Sequence, residues 1–113
     1  MHEYSLIQSL VERVEAEVVS RSASAVHRLS VRIGEDAGVD IELFKTAYCT
    51  FRERTVCEHA DLDVVVVPVE WACEACGRRI ERGQPLRCPD CLAPAKLIAG
   101  DEIILDRIEM EVA

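Results

Sequence analysis

The chain has 113 residues, half of them hydrophobic, which suffices for one aliphatic core with a small satellite unit. Its formal net charge is −8 and only five residues are aromatic. We therefore expect no nucleic-acid partner, because phosphate binding needs a basic patch and base stacking needs aromatic side chains. No apolar run reaches membrane-spanning length and no signal peptide is evident, which predicts a cytoplasmic protein with no membrane partner.

The first half of the chain is expected to form a helix, a strand and a second helix. Apolar residues recur at helical spacing between residues 4 and 20, with charged residues on the opposite face. Residues 21–25 are interpreted as a Ser/Ala connector, after which apolar and polar residues alternate up to Gly34, as in a half-buried strand. Asp40 is placed to cap a second helix, which is expected to end by fraying near Arg54.

The second half is expected to add two strands with an excursion between them. Residues 62–69 are nearly all apolar and β-branched, which predicts a strand in the middle of a covered sheet, although Pro68 favours an edge. A turn at Gly100 and Asp101 precedes the last predicted strand. The order of elements predicts an α+β fold, in which two helices pack on a three-stranded sheet and a zinc-ribbon-like four-cysteine domain is inserted before the last strand.

Two Cys-x-x-Cys pairs, Cys73 with Cys76 and Cys88 with Cys91, are the strongest functional motif. Each pair can present two sulfurs to one ion, and two pairs supply the four thiolates of a closed structural Zn²⁺ site. A segment of about 25 residues buries too little apolar area to fold alone, so we expect the ion to fold residues 71–97. The rival interpretation is a redox-active dithiol, which needs an exposed thiol of low pKa.

The first three residues offer a second kind of metal site. The α-amine of Met1 and the backbone and imidazole nitrogens of His2 can all reach one ion. The amide or the carboxylate of Glu3 would complete four donors in a plane, the arrangement that Ni²⁺ and Cu²⁺ prefer. The α-amine must lose a proton to bind, so the affinity is expected to rise with pH near neutrality. A frayed terminus without metal is the alternative.

Several other residues are weaker candidates. Cys49 and Cys57 are interpreted as free thiols. Asp40 could add an oxygen ligand to nickel, but a helix cap is the simpler interpretation. The run Cys57-Glu58-His59 could form an auxiliary metal site, but it lacks a fourth donor nearby and is interpreted as a solvated loop. His27, on the predicted first strand, is expected to be structural.

Four short motifs are spread along the chain: Met1-His2-Glu3-Tyr4-Ser5-Leu6, Val31-Arg32-Ile33-Gly34-Glu35, Gly38-Val39 and the two cysteine pairs. Together they resemble the HypA/HybF family of hydrogenase nickel-incorporation proteins, over essentially the whole chain. The resemblance implies a nickel metallochaperone rather than an enzyme, which delivers Ni²⁺ for maturation of [NiFe] hydrogenase and in some bacteria of urease. It also implies a nickel-binding α/β domain, residues 1–70 and 98–113, that carries a zinc-binding domain, residues 71–97.

The resemblance further implies site residues and partners. His2 would be the essential nickel ligand and Glu3 a second ligand or a partner contact, with structural Zn²⁺ held by the four paired cysteines. The partners would be a HypB-type GTPase and the [NiFe] hydrogenase large subunit or its maturation complex. The sequence leaves open whether the chain is a monomer or a homodimer. Two rival functions are a zinc-ribbon docking module without a nickel site and a thiol–disulfide enzyme.

Overall fold

A computed structural model of the chain describes residues 2–112, in which two helices and six strands are present. The helices are α1 (His2–Arg21) and α2 (Ile41–Phe51). The strands are β1 (Ala23–Gly34), β2 (Asp61–Val67), β3 (Glu70–Cys73), β4 (Arg79–Ile80), β5 (Ala95–Ala99) and β6 (Ile103–Val112). They form two three-stranded sheets, ordered β2-β1-β6 and β4-β3-β5. The predicted α+β architecture, with a four-cysteine insertion before the last strand, is confirmed.

Helix α1 passes into β1 through a single residue. Ser22 has a φ of 52° and its N–H donates to the carbonyl of Val19 at 3.3 Å, so the chain leaves the helix abruptly. The predicted connector over residues 21–25 was wrong, because Ala23 already belongs to the strand. Within α1 the buried apolar residues recur every three or four positions, as its predicted periodicity requires; they are Ile7, Val11 and Val14.

Helix α2 begins at the residue that the sequence indicated. The side chain of Asp40 accepts a hydrogen bond from the N–H of Leu43 at 3.1 Å, which confirms its role as the cap. Tyr48 is buried on the inner face of the helix and donates its hydroxyl to the carbonyl of Ala60 at 2.7 Å. This bond ties α2 to the chain just before β2. Neither described helix combines the length and apolar character that crossing a membrane requires.

Strand β2 lies at an edge of its sheet and not in the middle, so the predicted position was wrong. Val65 and Val66 are 56% and 50% exposed, and the central strand is β1. The β-branched residues of β2 give it a high strand propensity, but this propensity does not determine where a strand lies in a sheet. Pro68 follows the last residue of β2, so its missing N–H interrupts no strand pairing.

Strands β1 and β2 run in the same direction. Arg28 and Asp63 pair at 2.7 Å near one end, and the N–H of Glu35 donates to the carbonyl of Val67 at 2.8 Å at the other. Parallel neighbours need a crossover connection, and α2 supplies it. Strand β1 lies in the centre of the sheet, and it therefore contributes most of the sheet's buried side chains. They are Val26, Leu29, Val31 and Ile33.

The described chain divides into two compact units. The first contains the residues up to Arg32, Val39–Val65 and the residues from Ile104, and the second contains Ile33–Gly38 and Val66–Ile103. Within the second unit, a Cβ on Gly34 would lie only 2.2 Å from the carbonyl carbon of Gly100, so the two backbones touch there. Because of this close approach, the second unit includes residues on either side of the predicted domain 71–97, together with Ile33–Gly38. The functional assignment of the predicted domains stays a prediction.

Candidate metal sites

The structure brings the four paired cysteines together. Their sulfur atoms all lie within 4.8 Å of one another, the one cluster of at least three His, Cys, Asp or Glu ligand atoms that residues 2–112 contain. The Sγ atoms of Cys76 and Cys88 are 3.8 Å apart. A tetrahedral Zn²⁺ with Zn–S bonds of about 2.3 Å needs sulfurs separated by about 3.8 Å. The donor set and its spacing therefore fit zinc.

The two cysteine turns have the same backbone hydrogen bonds. In each turn the N–H of the first cysteine donates to the carbonyl five residues later, and its carbonyl accepts from the N–H four residues later. These bonds join Cys73 to Arg78 (2.8 Å) and Gly77 (3.0 Å), and Cys88 to Ala93 (3.0 Å) and Leu92 (2.9 Å). Gly77 has a φ of 78°, which costs glycine nothing, whereas Leu92 adopts a φ of 61° against steric strain.

Backbone N–H groups point at the sulfur of the first cysteine of each turn. The N–H groups of Ala75 and Cys76 both lie 3.3 Å from the Sγ of Cys73, and the N–H of Cys91 lies 3.5 Å from the Sγ of Cys88. The Cys76 N–H, followed by that of Ala75, lowers the pKa of Cys73 to about 7. Hydrogen bonding to the Cys76 thiol raises the pKa of Cys91 to about 12. A bound Zn²⁺ reverses that second effect, because coordinated thiols are deprotonated.

The apolar core around the cysteines is small. Cys73 and Cys88 are fully buried together with Ile80, and the half-buried apolar residues packed against them are Trp71, Ala93 and Ala95. Cys76 and Cys91 are exposed. So little buried apolar surface offsets only part of the entropy of ordering this segment, and an ion bound by the four thiolates would supply the remainder.

The N-terminal residues present one exposed and one buried side chain. Met1, a predicted nickel ligand, lies outside the described residues, and His2 is exposed at the first position of α1. Glu3 is only 8% exposed, and its Oε2 accepts a hydrogen bond from the N–H of Asp40 at 3.0 Å. The same Asp40 caps α2, so a single carboxylate links the beginnings of the two helices.

The Glu3 carboxylate is held in its charged form. The Asp40 N–H, followed by the N–H of Glu3 itself, keeps the pKa of Glu3 below its ordinary value, and partial burial opposes this effect. The contact between Glu3 and Asp40 was not predicted from the sequence. The two residues are 37 positions apart, and nothing in the local pattern of either one signals the other.

Replacing Glu3 with Gln is expected to destabilise the protein at neutral pH and much less in acid. Because the pKa of Glu3 in the folded protein lies below 4.5, its charge stabilises the fold fully above pH 4.5, and this contribution is lost as pH falls through the lower folded value. Urea unfolding of both proteins on either side of pH 4.5 measures the difference. Glu12→Gln is the control, since Glu12 is exposed on α1; an equal loss of stability at both pH values would contradict the prediction.

The weaker candidates do not assemble a further metal site in the described part of the chain. Cys57 is fully buried, and burial raises the pKa of its thiol to about 11, which makes it unreactive. Glu58 accepts a hydrogen bond from the Arg54 N–H at 2.8 Å, and His59 is exposed beside it. His27 pairs with Glu111 at 2.7 Å and so connects β1 to β6, while Cys49 is exposed on α2.

Glu35 joins two segments of the chain, and this role was not predicted from the sequence. Its Oε1 accepts hydrogen bonds from the N–H of Val69 at 2.9 Å and from the guanidinium of Arg82 at 2.6 Å. The guanidinium of Arg82 has the largest effect in lowering the pKa of Glu35, and the N–H of Val69 lowers it further. Arg82 lies between the two cysteine pairs, so Glu35 fixes that segment to the chain that leaves β1. The one sequence signal is that Glu35 ends the Val31–Glu35 motif.

Comparison with known proteins identifies the family. A family model described as "Hydrogenase/urease nickel incorporation, metallochaperone, hypA" matches residues 1–110. The chain belongs to the HypA family. It is similar to the hydrogenase maturation factor HypA of Shewanella halifaxensis, with 32% identity over 100% of both chains. Similarity to the HypA of Aquifex aeolicus is 33% over 99% of both chains.

Two solved HypA structures have the same fold. The solution structure of the Ni metallochaperone HypA from Helicobacter pylori has a TM-score of 0.74 at 32% identity and covers 98% of both chains. A second HypA solution structure has a TM-score of 0.81 at 34% identity, with 97% of this chain and 96% of that chain covered. The chain is thus a member of a family of maturation metallochaperones, which by name are not enzymes.

Proposed function

We propose that this protein carries Ni²⁺ for the maturation of [NiFe] hydrogenase, binding the ion at its N-terminus while the four cysteines hold a permanent structural Zn²⁺. One observation carries the proposal: in a chain of a nickel-incorporation family, His2 is exposed at the first position of α1. The four sulfurs are already grouped for a different, closed site, so the two metals have separate ligands. This division of roles describes a carrier and not a catalyst.

The proposed nickel donors are the Met1 amine, the backbone and imidazole nitrogens of His2 and the backbone nitrogen of Glu3. The first N–H groups of a helix have no carbonyl partner within the helix, so metal can replace their protons without breaking α1. The Glu3 carboxylate already accepts the Asp40 N–H, which favours its amide as the fourth donor. Four nitrogens in a plane suit Ni²⁺, and because Cu²⁺ would bind more tightly, metal availability and docking must supply selectivity.

The proposed Zn²⁺ is bound by Cys73, Cys76, Cys88 and Cys91. When bound it neutralises part of the charge of four thiolates and closes the two turns on one another. Closing the two turns would hold the surrounding residues in place as the strands β3, β4 and β5. No open coordination position is needed, since four sulfurs complete the tetrahedron. The zinc is therefore structural.

The proposed partners follow from the family and from charge. A HypB-type GTPase and the [NiFe] hydrogenase large subunit, or its maturation complex, would receive or supply the nickel in the cytoplasm. The family description also names urease, so a urease apoprotein is a second candidate target. A net charge of −8 suits cations and basic protein surfaces.

A Ni²⁺ titration of the zinc-loaded protein, with and without one extra residue before Met1, tests the proposal. The chain that starts at Met1 is expected to bind one nickel ion and the extended chain none, because extension removes the amine from reach of His2. Metal analysis should find the same zinc content in both. If both chains bind nickel alike, or neither binds it, the rival interpretation as a zinc-ribbon docking module is favoured.

A further inference from the structure

The two cysteine turns differ at one strained position. Gly77 in the first turn and Leu92 in the second occupy the same place in the hydrogen-bond pattern, and their φ values are 78° and 61°. Glycine adopts this backbone conformation freely, whereas the Cβ of a leucine is held there against steric repulsion. Burial of the side chain could offset the strain, but Leu92 is 66% exposed. The contacts that Leu92 makes within the described residues therefore recover little of it.

Leu92 lies at an apolar groove on the four-cysteine unit. The groove has a volume of about 430 Å³, and Pro85, Pro89 and Leu92 are among the residues that line it. All three are exposed. Proline side chains lose almost no conformational entropy when a ligand covers them. The groove is thus a preformed surface on which an apolar side chain can be buried at low entropic cost.

Arg87 gives this groove a positive charge that no carboxylate balances. Residues 77–87, between the cysteine pairs, contain four arginines and one glutamate in a chain whose net charge is −8. Three of the arginines form ion pairs, which are Arg78 with Asp90, Arg79 with Glu70 and Arg82 with Glu35. Arg87 belongs to none of the ion pairs of residues 2–112. Its guanidinium lines the groove and donates to the carbonyl of Leu92.

We propose that this groove binds an acidic segment of a partner protein, which packs an apolar side chain against Leu92 and places a carboxylate on Arg87. The guanidinium has five N–H donors, so the Leu92 carbonyl leaves others free for a carboxylate. Covering Leu92 removes from water the apolar surface that folding leaves exposed. The strained leucine is then a binding residue, and its backbone conformation holds the side chain where a partner can reach it.

Two other occupants fit the charges of the chain less well. An anionic membrane would repel a chain whose net charge is −8, although Arg87 itself would be attracted. A second copy of the chain carries the same net charge, which opposes association of the two copies. A partner protein needs only a local acidic segment, and the rest of its surface can be basic. The charges therefore favour a partner protein.

An NMR titration of the zinc-loaded full chain tests the proposal. The probe is a short synthetic peptide in which leucine is flanked by glutamates, and its binding should shift the backbone N–H signals of Leu86, Arg87 and Leu92. Two matched peptides have alanine in place of the leucine or lysines in place of the glutamates. Each should bind about tenfold more weakly or less, because the first loses the apolar contact and the second brings like charge to Arg87.

Three variants separate binding from folding. Leu92→Gly should weaken peptide binding about tenfold without loss of stability, because glycine adopts the same φ without strain. Arg87→Gln retains a donor for the Leu92 carbonyl but removes the charge, and it should weaken binding similarly. Arg79→Gln is the matched control, since Arg79 is exposed and already pairs with Glu70, and it should bind as the wild type does. Urea unfolding followed by Trp71 fluorescence compares the stabilities.

Several results would overturn the proposal. They are the absence of shifts at the groove, equal binding of the three peptides, and unchanged binding by Leu92→Gly or Arg87→Gln. A clear loss of stability in Leu92→Gly would show that the leucine serves packing instead. Groove shifts that depend on protein concentration alone would assign the surface to a second copy, and shifts caused by phosphatidylserine-containing vesicles but not by the peptide would assign it to a membrane. Nickel binding by the same variants should be unchanged, so this proposal can fail without affecting the proposed nickel site.

Discussion

Replacing His2 with Ala is expected to abolish nickel binding while the fold and the zinc content stay unchanged. The substitution removes the imidazole, the only side-chain nitrogen among the proposed donors. Losing a supporting contact of a metal ligand already costs ten- to a hundredfold in affinity, so losing the ligand should cost more than about 100-fold. His2 is exposed, and its side chain is therefore not needed for packing of α1. Equilibrium dialysis with metal analysis measures both ions.

The control for this prediction is His59→Ala. His59 is also exposed, and its only ion pair within the described residues is with the adjacent Glu58 at 3.4 Å. The same chemical change is therefore made 57 positions along the chain from His2. Nickel binding should be unaffected. If His2→Ala removed zinc or unfolded the protein, the separation of the two metal roles would be wrong. Full nickel binding by His2→Ala would place the site elsewhere.

Replacing Cys73 with Ser is expected to release zinc and unfold the four-cysteine unit while the helices remain. Cys73 is fully buried at the end of β3, and serine is a poor ligand for zinc. Structural zinc contributes on the order of 10 kcal/mol in small domains, and the apolar cluster around Cys73 is too small to replace that contribution. Strands β3, β4 and β5 should lose their hydrogen-bonded order.

Trp71 reports this change directly, because it is the only tryptophan and packs against Cys73, Ile80 and Cys88. Its fluorescence should shift to that of a solvated indole, and chelation of zinc from the wild type should produce the same shift. Helical circular dichroism should be largely retained. Cys49→Ser, at an exposed cysteine of α2, is the control and should retain zinc. An unchanged Trp71 signal in zinc-free protein would show that the unit folds without the ion.

The sequence by itself determined the features that depend on neighbouring residues. The two cysteine pairs indicated a four-sulfur site because two Cys-x-x-Cys turns contain all of its ligands. The helical spacing of Ile7, Val11 and Val14 and the cap at Asp40 located both helices, since helical periodicity and capping act over three or four positions. His2 stays a predicted nickel ligand, which the sequence indicates because the chemistry of this residue depends on its distance from the α-amine.

Only the tertiary structure decided which distant segments meet. Residues 62–69 were recognised as a strand, but its place at the sheet edge depends on β1 being the strand between β2 and β6. The bond of Glu3 to Asp40 and the ion pair of Glu35 with Arg82 join residues 37 and 47 positions apart. Strand order and such contacts arise from the packing of the whole chain, which local periodicity does not record.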